Sequence, residues 1–182
     1  MIFSKHSQFI DSVTLKQMHT ELTSTANWMF RNKFWRYYLV DGLLPYQQSD
    51  ESSWYGNQPN IKNVREPWHA LFQQIYQLAG PNFKLMRYAL TGQTYGQEQE
   101  LHVDTTLSLD GTFRTYLMYL NTEWDNSWGG ATDFVVDGKL VHQEFPEPGK
   151  LIEFDSQAFH IGHAPNKLDC LRLTLILHGK IV

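Results

Sequence analysis

Leu171, Leu173, Leu175 and Leu177 fall at alternate positions in one run, with Arg172, Thr174 and Ile176 between them. A period of two belongs to a strand, because successive side chains of an extended chain point to opposite faces. The all-leucine face demands an apolar cover. The other face sets a guanidinium among small or apolar neighbours, and charged residues seldom occupy such positions unless something pairs with them. That face lines a pocket. The chain must therefore form a sheet with a hydrophobic layer behind it and a lined cavity in front.

The rest of the second half agrees. Short strands are expected over residues 83–90, 100–105, 114–121, 131–136, 139–145, 150–155 and 171–177, each bounded by turn residues. Asp137-Gly138 between two of them is a two-residue hairpin signal. Strands at this spacing make a sandwich or a barrel. The first half can supply the cover. Val13, Leu15, Met18, Leu22 and Trp28 recur at roughly helical intervals across residues 11–29, with Asp11 or Ser12 as the cap. Glu66-Pro67 opens a second helix, Trp68, Leu71, Phe72, Ile75 and Leu78 form its apolar stripe, and Gly80-Pro81 ends it. Residues 31–40 read as a strand, and the Gln/Ser/Asp/Asn-rich stretch over 45–59 reads as a loop carrying Trp54 and Tyr55. No internal repeat or low-complexity segment is present.

Composition excludes several functions. The 182 residues fit one domain with a core of its own, and 42% hydrophobic with 14% aromatic residues is not the composition of a disordered chain. A net charge of -4 without a dense Lys/Arg block argues against nucleic acid as the partner. No stretch approaches the apolar length needed to cross a bilayer, so no membrane partner is expected. Cys170 is the single cysteine, which forbids an internal disulfide and suits a reducing compartment. The opening MIFSKHSQFIDS lacks the long apolar run of a signal peptide. A cytoplasmic protein is the expectation.

Chemistry concentrates at His102-Val103-Asp104. On an extended strand His102 and Asp104 project to one face while Val103 turns away. One imidazole and one carboxylate converge there. A downstream histidine would complete the two-histidine, one-carboxylate facial triad that leaves three positions open on a non-haem Fe(II). His160 and His163 both qualify by residue type.

Further blocks surround this motif in a fixed order. Met86-Arg87-Tyr88 with Thr91-Gly92-Gln93 precedes it; Tyr116 to Asn121 with Trp124, then Trp128-Gly129-Gly130-Ala131-Thr132-Asp133-Phe134, follow it; and Pro148 to Asp155 leads to the distal histidine. Over about residues 85–177 these resemble the strand and glycine turn, the "YLN..W" strand, the "GGxTxF" segment and the histidine-bearing strand of the Fe(II)- and 2-oxoglutarate-dependent oxygenases. Within that family the resemblance is to the prolyl-4-hydroxylase-like branch.

The resemblance implies a double-stranded β-helix, a jelly-roll or cupin-like barrel backed by N-terminal helices. It spans residues 1–182 as one unit, with helical support over about 1–82 and a β core over about 83–182. It implies Fe(II), 2-oxoglutarate and dioxygen, with ascorbate as an auxiliary reductant. The metal ligands are then His102, Asp104 and His160; the histidine register before the glycine and proline selects His160, and His163 is the competitor. Arg172 clamps the distal carboxylate of 2-oxoglutarate with its planar fork. Tyr119 and Thr115 are similarly placed to positions that help hold that carboxylate, and Tyr88 to one near the cosubstrate. No further catalytic side chain is required, since the iron carries the chemistry. The Asp104 carboxylate implies hydroxylation rather than halogenation. The absence of a second arginine over residues 173–178 disfavours the nucleic-acid demethylase branch.

The expected reaction hydroxylates an unactivated C–H bond with release of succinate and CO2. Its substrate is a peptide or protein, with peptidyl proline or another residue as target, or a free amino acid or other small metabolite; the fold does not choose. Residues 46–55 and 93–100 are the candidate lids. A cupin-like barrel that binds metal or a small ligand without redox chemistry is the alternative from another class. Oligomeric state is not legible in the sequence.

Overall fold

A computed structural model describes residues 2–24, 28–31, 36–39, 64–105 and 112–182. In chain order the elements are β1 (Ile2–His6), α1 (Ser12–Ser24), β2 (Trp28–Arg31), β3 (Arg36–Leu39), α2 (Trp68–Ala79), β4 (Phe83–Gln93), β5 (Thr112–Tyr119), β6 (Thr132–Val136), β7 (Lys139–Glu144), β8 (Leu151–Asp155), β9 (His160–Gly162) and β10 (Arg172–Ile181). The strands form two antiparallel sheets. The larger has the order β1-β8-β5-β10-β4-β3-β2 and the smaller β7-β6-β9. This is the double-stranded β-helix expected from the sequence.

The leucine alternation sets β10 at the centre of the large sheet, between β5 and β4. Leu173, Leu175 and Leu177 are fully buried against the helix-side core, which also holds Met18 and Leu22 of α1 and Trp68, Leu71, Phe72 and Ile75 of α2. The opposite face of the same sheet presents Leu117, Ile152 and Phe154 to Phe134 of the small sheet, with Ile176 packed alongside. Two apolar layers thus hold one sheet, and the polar exceptions in the second layer mark the site.

Both helices form, with altered limits. Asp11 caps α1, its Oδ1 accepting from the Val13 and Thr14 amides at 2.9 Å each. α1 ends at Ser24 rather than reaching residue 29, and Trp28 belongs to β2. The weak helix formers Thr23 and Ser24 close it, with the Thr23 hydroxyl turned back onto the His19 carbonyl. Val13, expected in the apolar stripe, is exposed. Asp137 and Gly138 both take positive φ, 50° and 71°, as a type I′ hairpin requires, and join β6 to β7.

Three departures matter for the site. The front of the chain contributes β1, β2 and β3 to the edges of the large sheet as well as its two helices. Of residues 31–40, expected as one strand, Arg31 ends β2 and Arg36–Leu39 form β3, which pairs antiparallel with β2; the others lie outside the described residues. The stretch 100–105 is not a strand; it makes one isolated bridge, His102 to His160. The loop expected over 45–59, which includes the whole of the first candidate lid, lies outside the described residues. Among the described residues no helix is long and apolar enough to cross a membrane.

Candidate metal centre

His102 and His160 meet because their backbones do. The His102 amide donates to the His160 carbonyl at 3.1 Å and the His160 amide returns the bond at 2.9 Å. This couples the segment after β4 to β9. Asp104 is pinned by its own amide, which donates to the Ser156 carbonyl at 2.8 Å, and by Arg87 of β4, whose Nη2 donates to the Asp104 carbonyl at 2.9 Å. Two residues apart, His102 and Asp104 reach one point as the alternation argument required, although bridge and anchor replace a strand ladder. A ligand atom from each of His102, Asp104 and His160 lies within 4.8 Å of the others.

The imidazoles are oriented for coordination. His102 Nδ1 sits 2.8 Å from the Glu100 carbonyl oxygen and His160 Nδ1 2.9 Å from that of Ala158. A carbonyl only accepts, so each ring carries a hydrogen on Nδ1 and turns Nε2, the nitrogen left for a metal, towards Asp104. The two Nε2 atoms stand 3.9 Å and 3.7 Å from the Asp104 oxygens. Burial pushes the Asp104 carboxyl up, yet the fields of His178, His160, Arg87 and His102 outweigh it and hold the group well below the usual carboxylate range. An ionised carboxylate and two imidazole nitrogens form a donor set suited to a divalent cation.

His163 goes elsewhere. Its Nδ1 faces Glu98 Oε2 and its Nε2 faces Asp133 Oδ2, both at 3.0 Å. It ties the 94–100 segment to β6 and stands outside the triad.

From the triad a narrow cleft runs between the sheets, lined by Leu117, Phe154, Ile176, Gln99 and Thr132, to Arg172. Arg172 is 2% exposed. Nε donates to the Gly130 carbonyl at 2.7 Å, Nη1 to Gln93 Oε1 at 2.8 Å and Nη2 to Thr132 Oγ1 at 2.9 Å. Gly130 can approach so closely only without a side chain, since a Cβ there would stand 2.6 Å from Trp124 Cζ2.

Tyr119 supports this end from behind rather than lining the cleft. Its hydroxyl lies 2.8 Å from Thr132 Oγ1 and donates to the Glu144 carbonyl at 3.2 Å, and the Arg172 guanidinium carbon is 5.3 Å from its ring centre. Complete burial pushes the phenol up against the pull of Arg172 and Thr132.

Two residues expected near the cosubstrate are not at the Arg172 end of the cleft. Tyr88 is on the other face of the sheet, paired across β10 with Leu177 and set edge-on to Phe72 of α2 at 5.2 Å, where burial pushes its hydroxyl up to about 12. The one-residue parity of β4 decides this: Thr91 and Gln93 face the cleft, so Tyr88 and Leu90 cannot. Thr115 lies at the metal end instead, its hydroxyl 2.8 Å from Asp104 Oδ2.

Several neighbours were not anticipated from sequence. Gln93 holds Arg172 while donating to the Gln97 and Gly162 carbonyls, and Gln99 accepts from the Gly162 amide. His178 is 3.6 Å from Asp104 Oδ2. Burial and Arg87 push its imidazole down to about 3, against the pull of Asp104, so it is neutral at physiological pH. The continuing alternation after Ile176 would have put His178 on the cleft face, but the expected strand stopped one residue short.

A sequence model of the 2OG-Fe(II) oxygenase superfamily matches residues 83–177, more than half of the chain. The chain belongs to the 2OG-Fe(II) oxygenase superfamily. Among solved structures, a Pseudomonas putida prolyl-4-hydroxylase is similar at 18% identity and TM-score 0.60, covering 98% of this chain and 92% of its own. A Trichoplax adhaerens prolyl hydroxylase, in complex with a hypoxia inducible factor oxygen degradation domain peptide fragment, is similar at 15% identity and TM-score 0.65, covering 98% and 83%. A viral collagen prolyl hydroxylase from Paramecium Bursaria Chlorella virus-1, in its 2OG complex, follows at 13% identity and TM-score 0.52, covering 98% and 95%. No curated protein matches the sequence significantly. Membership in the superfamily disfavours a non-catalytic cupin-like barrel.

Proposed function

We propose that this superfamily member is a hydroxylase in which His102, Asp104 and His160 hold Fe(II) and Arg172 holds 2-oxoglutarate. One observation carries the reading: a deeply buried arginine and a His-Asp-His triad stand at opposite ends of one cleft between the sheets. A dicarboxylate cosubstrate needs both ends at once.

The residues divide the work. His102 and His160 supply nitrogen lone pairs fixed by their Nδ1–H bonds, and Asp104 supplies negative charge to the cation. Arg172, backed by Thr132 and Tyr119, receives the distal carboxylate as a planar fork and fixes the cosubstrate's orientation. Leu117, Phe154 and Ile176 exclude water from the path between. When bound, iron with 2-oxoglutarate and dioxygen supplies the oxidising power that inserts oxygen into an unactivated C–H bond, giving succinate and CO2. No side-chain acid or base is called on. Ascorbate serves as the reductant that keeps the iron ferrous.

We take the substrate to be a peptide-borne residue, with prolyl first. Support comes from the prolyl hydroxylases among the similar structures, one of which holds a peptide. We take residues 1–182 as one catalytic unit with the cytoplasm as its compartment, the single buried Cys170 being compatible with reducing conditions. The test is succinate release by the Fe(II)-loaded chain with 2-oxoglutarate, alone and with proline-containing peptides. Uncoupled turnover lost in His102→Ala, Asp104→Ala and His160→Ala is expected; unimpaired turnover in those variants would overturn the assignment. Stimulation by free amino acids but by no peptide would move the substrate to the metabolite class.

A further inference from the structure

Resting on the reading of His102, Asp104 and His160 as metal ligands, we propose that Thr115 is a positioning residue that restricts Asp104 to coordination through one oxygen, Oδ1. Both Asp104 oxygens come within 4 Å of a histidine Nε2, Oδ1 at 3.9 Å from His102 and Oδ2 at 3.7 Å from His160. Proximity to the histidines therefore does not choose between them. Thr115 does.

Thr115 is fully buried on β5, directly across from His178 on β10 and from Phe154 on β8. Its hydroxyl has three polar neighbours: Asp104 Oδ2 at 2.8 Å, Ser156 Oγ at 2.8 Å and His178 Nδ1 at 2.9 Å. A threonine hydroxyl has one hydrogen and two lone pairs. An ionised carboxylate only accepts, so the hydrogen goes to Asp104 Oδ2. The Ser156 hydroxyl and the His178 Nδ1–H then fill the lone pairs as donors. All three capacities are used, and the hydroxyl has no alternative direction for its hydrogen. Ser156 adds a second restraint, because its carbonyl accepts the Asp104 and Thr105 amides at 2.8 and 3.2 Å.

The consequence lies in the coordination count. Three protein ligands on one face leave three positions of six, two for a chelating cosubstrate and one for oxygen. A carboxylate bound through both oxygens would take a fourth. Holding Oδ2 in a charge-assisted hydrogen bond keeps that position open. None of these atoms lines the cosubstrate end of the cleft, so the role is exerted through Asp104.

The test compares Thr115→Val, which keeps shape and loses the donor, with Thr115→Ser, which keeps it. The metal-free full-length chain is titrated with Co(II) by calorimetry, and the Co(II)-loaded chain with 2-oxoglutarate. Removal of such an orienting partner typically weakens metal binding by about 10–100-fold. That loss is expected in Thr115→Val, with weaker 2-oxoglutarate binding beside it, and recovery to near the parent in Thr115→Ser. His178→Leu should weaken Co(II) binding in the same direction, while His178→Asn, whose amide nitrogen can donate from a similar place, should not.

Thr115→Val binding both Co(II) and 2-oxoglutarate like the parent overturns the proposal while leaving the metal reading intact. A parent chain that binds no Co(II) brings down both. If circular dichroism shows that Thr115→Val does not fold, the His178 pair decides by the same criterion. If neither Thr115→Val nor His178→Leu folds, the cluster is structural and the proposal fails.

Discussion

At the scale of single residues, a separation of three positions on one short segment divides a member of the buried triad from a part-exposed histidine outside it. His160 is buried with Nε2 on the Asp104 carboxylate, whereas His163 is part-exposed and bridges Glu98 to Asp133. His160→Ala should abolish tight Co(II) binding in calorimetry, and His163→Ala should leave the dissociation constant within about threefold, a change under 1 kcal/mol. The reverse pattern would exchange their roles. Arg172 can be probed more gently than by deletion. Lysine keeps the charge but cannot reproduce three divergent N–H directions to Gly130, Gln93 and Thr132. Loss of charged hydrogen bonds worth about 1.5–3 kcal/mol corresponds to roughly a tenfold to hundredfold rise in KM for 2-oxoglutarate. Succinate kinetics measure it, and an unchanged KM would remove Arg172 from the cosubstrate site.

At the scale of elements, strand parity did most of the positioning, and it was legible wherever the sequence alternates cleanly. The leucines of β10 announced both its faces, so Arg172 could be placed in a pocket before any contact was known. Tyr88 was harder, because β4 reads Arg87-Tyr88-Ala89-Leu90-Thr91-Gly92-Gln93 with no apolar period, and only pairing with β10 fixes which residues look inward. β1 carries no signal of its own in Ile2-Phe3-Ser4-Lys5-His6; it is a strand because β8, far along the chain, accepts it. Likewise the convergence of His102 and Asp104 was legible, but the isolated bridge that achieves it was not, since a single backbone pair leaves no periodicity. Gln93 and Thr132 stand in recognised blocks, but their contacts with Arg172 were not legible because an amide or hydroxyl facing a guanidinium has no spacing rule. The face assigned to Tyr88 is testable. Tyr88→Phe should leave the KM for 2-oxoglutarate within about twofold, and Tyr88→Ala should lower stability by about 3 kcal/mol through the cavity left beside Phe72. A large KM effect of the phenylalanine variant would place the hydroxyl in the site after all.

At the scale of the whole molecule, a buried carboxylate joins the two sheets. Glu144 at the end of β7 in the small sheet meets Lys150 Nζ at 2.7 Å, Lys5 Nζ of β1 in the large sheet at 2.5 Å and His142 Nε2 at 2.9 Å. Its carbonyl also receives the Tyr119 hydroxyl, which links this cluster through Thr132 to Arg172. Burial pushes the Glu144 carboxyl up, but hydrogen bonds from Lys150, Lys5 and His142 overcome it and bring the group from 4.5 down to about 2. The folded chain therefore holds this carboxylate ionised more firmly than the unfolded chain. As the pH falls below about 4.5 the unfolded chain takes up the proton first, so stability declines from there and the contribution is gone by about pH 2. The difference amounts to about 3 kcal/mol. Glu144→Gln removes the carboxylate shared by Lys5 and Lys150 and leaves Lys150 with Glu147 at 3.4 Å, so denaturant unfolding of the metal-free chain at pH 7 should show a loss of up to about that size. Because the variant has no proton to take up, its stability should fall less steeply between pH 4.5 and 2, and the gap to the parent should narrow across that window. Parallel acid limbs for the two proteins would show that Glu144 does not set the acid stability of the fold.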